Sequence, residues 1–135
     1  MKKSEDNFVK IFKIIIFLIP LLAYPGLVNA QNAPLFHKNT EFNQFVVGAL
    51  TYTSVAGACA QGERYFELKS ALVRLLEREN SSQNLTRQGA ALYSNLEAYI
   101  EAGEKGYKDR PYVTCGDAVK YIDTILNLAN SYLEN

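Results

Sequence analysis

Cys59 and Cys115 are the only two cysteines in this 135-residue chain, and they are its most reactive side chains. Two thiols can make a redox pair or a structural disulfide. Catalytic redox pairs usually sit close together, as Cys-X-X-Cys, with depressed thiol pKa values. These two lie far apart. Cys115 stands at the mouth of a helical pattern in "RPYVTCGDAVKYIDTIL", where a helix N-terminus would favour a thiolate. That gives the redox reading some footing. A disulfide is the stronger reading if the chain reaches an oxidising compartment.

Other candidate chemistry is sparse. The lone histidine, His37, precedes the first helical pattern and reads as solvated. No Ser-His-Asp set has a recognisable context, and no second histidine is present for a metal site. The two glycines of "GACAQG" close a helix instead of opening one, so they are not a phosphate loop. Glu97, Glu101 and Glu104 share one helix face at spacings of three and four. They read as a solvated face; the sharper alternative is a site for a cation or a basic partner. The Asn-X-Ser/Thr triplets at Asn80 and Asn84 read as turn residues. No catalytic residue, metal ligand or cofactor is expected, and the chain is expected not to be an enzyme.

Contact chemistry is densest in "GEKGYKDRPY", residues 103–112, read as a polar loop. Tyr107, Lys108, Arg110 and Tyr112 crowd together there. Tyrosine and arginine are enriched at interface hot spots because they combine contact area with directed hydrogen bonds. These four are the candidate partner-binding residues. The alternative is that the tyrosines fold back on the end of the domain.

The N-terminus is set apart first. "MKKSEDNFVKIFK" is net positive, "IIIFLIPLLAY" is apolar, and Pro25-Gly26 precedes "LVNA". This is the layout of a secretory signal peptide, residues 1–30, cut after Ala30. A spanning helix needs about 20 apolar residues, and Pro20 and Pro25 interrupt this shorter run. A cleaved leader is therefore expected, with no stable membrane anchor and a periplasmic or secreted product. Of the fourteen basic and fourteen acidic residues, the leader takes four and two, so the remainder is slightly acidic. No basic stripe marks a nucleic-acid partner.

The mature chain divides into an arm, residues 31–40, and one helical domain, residues 41–135. Helical periodicity covers roughly 41–60, 63–79, 85–102 and 115–133, and strand-like alternation is absent. Asn39 or Thr40 and Asn84 are expected caps, Thr114 and Asp117 fit the start of the last helix, and Gly62 is the expected stop of the first. The expected fold is all-α, a small up-down-up-down four-helix bundle. In that topology the end of the first helix and the start of the fourth lie at the same end. Cys59 and Cys115 can then meet, as one disulfide stapling the bundle.

Two stretches, "LTYTSVAGACAQ" and "EKGYKDRPYVTCGDAVKYIDTI", resemble the periplasmic immunity proteins of type VI secretion systems, the amidase-immunity type above all. They cover about a third of the mature chain. The likeness lies in the placing of the two cysteines and in a Lys-Gly stretch ahead of the second. It implies a periplasmic protein that binds a toxin and blocks its active site, with residues 103–112 as the inhibitory element. The expected function is an exported, non-catalytic protein-binding domain, most concretely an immunity or inhibitor protein. An accessory component of an envelope secretion or conjugation system is the alternative. A periplasmic stress protein is less favoured, since acid-stress proteins usually need pH-sensitive groups and the chain has a single histidine, His37.

Overall fold

The computed structural model describes residues 34–134. The expected leader and the expected cut after Ala30 lie outside the described residues. Five helices follow one another: α1 (Thr40–Ala58), α2 (Gly62–Ser81), α3 (Arg87–Ser94), α4 (Leu96–Asp109) and α5 (Cys115–Glu134). Among the described residues the only extended pairing is a single bridge between Phe36 and Leu85. The chain is all-α.

Helix α1 is the axis of the molecule. Asn39 caps it, its side chain accepting from the Phe42 N–H at 3.1 Å. From Phe45 to Ala56 every residue is buried. A helix buried all round belongs at the centre of a fold, and α2, α4 and α5 all pack on it. Each fully buried Leu, Ile or Phe is worth about 2 kcal/mol of hydrophobic stabilisation. Thr51 and Thr53 are buried polar residues on this helix, and each donates its hydroxyl to the carbonyl four residues back, at 2.9 and 2.7 Å. Their burial therefore leaves no hydroxyl unsatisfied. Ser54 shares its hydroxyl between the carbonyls of Leu50 and Ile100, at 3.3 and 3.0 Å, which ties α1 to α4.

Cross-contacts set the helix directions. Ser54 meets Ile100 and Cys59 meets Tyr107, so α1 and α4 run parallel. Phe42 and Phe45 pack on Tyr132 while Cys59 joins Cys115, so α1 and α5 run antiparallel. Arg64 pairs with Asp123 and Arg78 donates to the Tyr132 carbonyl, so α2 and α5 are parallel neighbours.

The third expected helix, 85–102, is two helices. At Asn95 the backbone leaves the helical region (φ −126°, ψ 30°), and its side-chain amide donates to the Ala91 carbonyl at 2.9 Å. An asparagine that bonds its local backbone competes with the helix ladder, which accounts for the break. Thr86, not Asn84, caps α3, accepting from the Gly89 N–H at 3.2 Å. Ala60, not Gly62, takes the left-handed conformation after α1 (φ 57°), and Gly62 instead opens α2.

The expected arm, 31–40, is no free arm over its described part. Leu35 and Phe36 are core residues. The Leu35 N–H donates to Asn43 Oδ1 at 2.6 Å, and the Leu35 carbonyl accepts from the Thr86 N–H at 2.9 Å. Asn84, expected as a cap, holds this strap: its carbonyl and side chain accept from the His37 and Lys38 N–H groups at 2.9 and 3.1 Å. His37 itself is exposed.

Candidate functional site

Four pieces of chain converge at one end of the molecule: the last turns of α1 and α4, residues 110–114, and the first turn of α5. Cys59 is the C-cap of α1 and Cys115 the first residue of α5, and they are disulfide-bonded with Cα atoms 5.6 Å apart. The pairing read from the sequence is present in the structure. Cys59 is half-buried and Cys115 is exposed.

The expected loop 103–112 is mostly helix. Gly103 and Gly106 lie inside α4, which runs on to Asp109. Two glycines should weaken a helix by about 1 kcal/mol each. Burial overrides that: Leu96, Ile100, Gly103 and Tyr107, spaced four, three and four, form the face of α4 that packs on α1. That spacing was the available signal. The two glycines masked it.

The four candidate residues separate into two kinds. Tyr107 is buried, 5 % exposed. Its hydroxyl donates to the Val113 carbonyl at 2.6 Å and lies 3.6 and 3.7 Å from the sulfurs of Cys59 and Cys115. Tyr112 stands edge-on against the Tyr107 ring, with centroids 5.3 Å apart. Both tyrosines are structural supports of this end. Lys108 and Arg110 are exposed, and so is Pro111. The contact chemistry thus narrows to two cations and a proline on a rigid base.

Thr114 completes the base. Its hydroxyl oxygen accepts from the Asp117 N–H at 3.1 Å, as the sequence predicts for the cap of this helix. Residues 110–113 are therefore pinned by α4, by the Tyr107 hydroxyl, by the cap and by the disulfide. Replacing Tyr107 with phenylalanine is expected to destabilise the domain by about 1 kcal/mol, because the Val113 carbonyl loses its donor. Chemical denaturation reads that loss, and hydrogen exchange at 110–114 should rise with it.

Beneath the site lies a tyrosine cluster. Tyr52 is fully buried, its ring 5.8 Å from Tyr121. Burial, helped by Tyr121 and Tyr107, pushes its phenol far above the usual range, so it stays neutral. On the α2 side, the Arg64 guanidinium donates to both carboxylate oxygens of Asp123, at 2.8 and 3.3 Å, and holds that carboxyl below the usual range. The acidic trio is divided by the fold. Glu97 pairs with Lys69, Glu104 sits against Gly57, and Glu101 is exposed. Among the described residues no group of three or more His, Cys, Asp and Glu could hold a metal ion. No described helix is long and apolar enough to cross a membrane.

No protein-family model matches the chain, and neither a curated protein nor a solved structure matches it.

Proposed function

We propose that this chain is an exported, non-catalytic binding domain that presents Lys108 and Arg110, with Pro111 between Arg110 and Tyr112, to an acidic patch on a protein partner. The observation that carries the reading is the bracing of that short segment by Tyr107, Thr114 and the Cys59–Cys115 disulfide. A pre-ordered segment loses little conformational entropy on binding. Two exposed cations on such a base suit recognition of carboxylates.

The most concrete form of this reading is an immunity or inhibitor protein that covers the active site of a secreted toxin. The leader, residues 1–30, would deliver it to the periplasm. The described packing begins at residue 34, so a cut after Ala30 leaves every described core residue in the product. The disulfide suits that oxidising compartment. As a fold, the domain is read as an up-down-up-down four-helix bundle whose third leg is α3 and α4 broken at Asn95.

The test is an affinity purification of the C-terminally tagged protein from an osmotic-shock extract of its own host. One stoichiometric hydrolase is the expected partner. The pair Lys108→Ala and Arg110→Ala should then weaken binding at least about tenfold, while thermal stability stays at the wild-type value. Unchanged affinity would sink the assignment of this segment. Recovery of envelope-machine subunits instead would replace the inhibitor reading.

A further inference from the structure

Phe66 is 68 % exposed, and it is the exposed large hydrophobic side chain among the described residues. It sits on the outer face of α2, in line with Glu63, Glu67, Ser70 and Arg74, all exposed. Beside it a shallow groove of about 410 Å³ runs between α2 and α5. Ala71 and Leu126 contribute to its lining, with Arg74 and Asn130 further along the two helices. An aromatic ring left in water forgoes about 2–3 kcal/mol of burial, so a partner that covers it has a ready gain.

The charges of α2 say which partner fits. Glu63 and Glu67 stand exposed in its first half, and Arg74 stands exposed in its second. Arg64 and Arg78 are turned to α5, on Asp123 and the Tyr132 carbonyl. Lay a second α2 antiparallel on the first, with the two-fold axis between Ser70 and Ala71. Glu67 then faces Arg74, and symmetry makes the pair twice. No like charges oppose one another. A slip of one residue would set Glu63 against Glu77, so the pattern also selects the register. Ser70, exposed at the axis, is small enough for the two helices to approach closely.

We propose that the chain forms an antiparallel, two-fold symmetric dimer through α2, with Phe66 of each copy seated in the α2/α5 groove of the other. The occupant of the groove is a second copy of this chain. The dimer uses no residue of the Lys108–Arg110 segment, so it stands or falls independently of the binding role. Each copy would present its own segment, giving a bivalent binder.

Sedimentation velocity on the chain, expressed with its own N-terminal segment and purified, tests this. The wild type should sediment as a dimer. Glu67→Arg opposes Arg74 with a second positive charge, and Arg74→Glu opposes Glu67 with a second negative one. Symmetry imposes each clash twice, so each reversal should weaken the dimer at least about tenfold. The double variant E67R/R74E should restore it, and mixing the two single variants should give a heterodimer. Circular dichroism checks that each variant keeps its helices. A wild type that stays monomeric up to about 1 mM overturns the proposal, and the stripe then belongs to a different protein. A dimer indifferent to both reversals overturns it as well, because another face must then carry the contact.

Discussion

Replacing Cys59 and Cys115 together with serine is expected to lower the unfolding free energy by about 4 kcal/mol. The bond closes a loop of about 57 residues, and in its absence the unfolded chain regains the entropy of that loop. The folded state loses something too. The disulfide joins the end of α1, the central helix, to the start of α5, and its sulfurs pack on the Tyr107 hydroxyl. Domains of this size are stable by about 5–15 kcal/mol, so the loss is a large share of the total. The melting temperature should fall on the order of 20 °C. Urea denaturation should also show a steeper slope, because the uncrosslinked chain exposes more surface on unfolding. A loss under about 1 kcal/mol would mean that hydrogen bonds and packing already hold this end. Intact mass under non-reducing conditions is the companion measurement, and two free thiols would show that the protein carries no crosslink to lose.

Gly89→Ala should destabilise the domain by about 2–3 kcal/mol. In an ordinary helix this change is favourable by about 1 kcal/mol, because alanine has the better propensity. Gly89 is not at an ordinary position. A Cβ there would lie 2.1 Å from the Leu35 carbonyl oxygen and 3.1 Å from Leu85 Cδ2. The nearest obstacle is backbone, so no rotamer change relieves it. The strap would have to lift, and with it go the Leu35–Asn43 and Thr86–Leu35 hydrogen bonds and the burial of Leu35 and Phe36. Gly116→Ala is the control. Gly116 is also helical, in the first turn of α5, but an added Cβ meets nothing within 4 Å. That variant should be neutral or slightly stabilised. Opposite signs in paired urea titrations would show that the strap is seated on α3. Equal stability of the two alanine variants would show that it is not.

The strap illustrates what periodicity leaves out. Leu35 and Phe36 precede the first helical pattern and carry no repeat of their own, so nothing local marks them as core. Their seating depends on residues some fifty positions away: Thr86 donates to the Pro34 and Leu35 carbonyls, and Asn84 accepts from the His37 and Lys38 N–H groups. The same holds for residues 103–112. Local propensity reads Gly103 and Gly106 as a helix stop, yet packing against α1 carries α4 through both. Tyr107 and Tyr112, which look like contact residues by type, became supports for the same reason: the continued helix turned Tyr107 inward and Tyr112 followed it. Phe66 is the opposite case. Its spacing from Leu68, Leu72, Leu75 and Leu76, the buried leucines of α2, already sets it on the outer face, and no described element packs over it there.

Composition and spacing sufficed for the all-α class, for the extents of α1, α2 and α5 to within a few residues, and for the pairing of the two cysteines. Those features follow from short-range periods and from chain direction, which a sequence displays directly. Tertiary packing decided the rest: α1 as a helix buried all round, the break at Asn95, the seating of residues 34–38, and the reduction of four candidate contact residues to Lys108 and Arg110. Each of these turns on which faces meet across long sequence separations. Burial there outweighs the roughly 1 kcal/mol preferences by which a single residue announces its local structure.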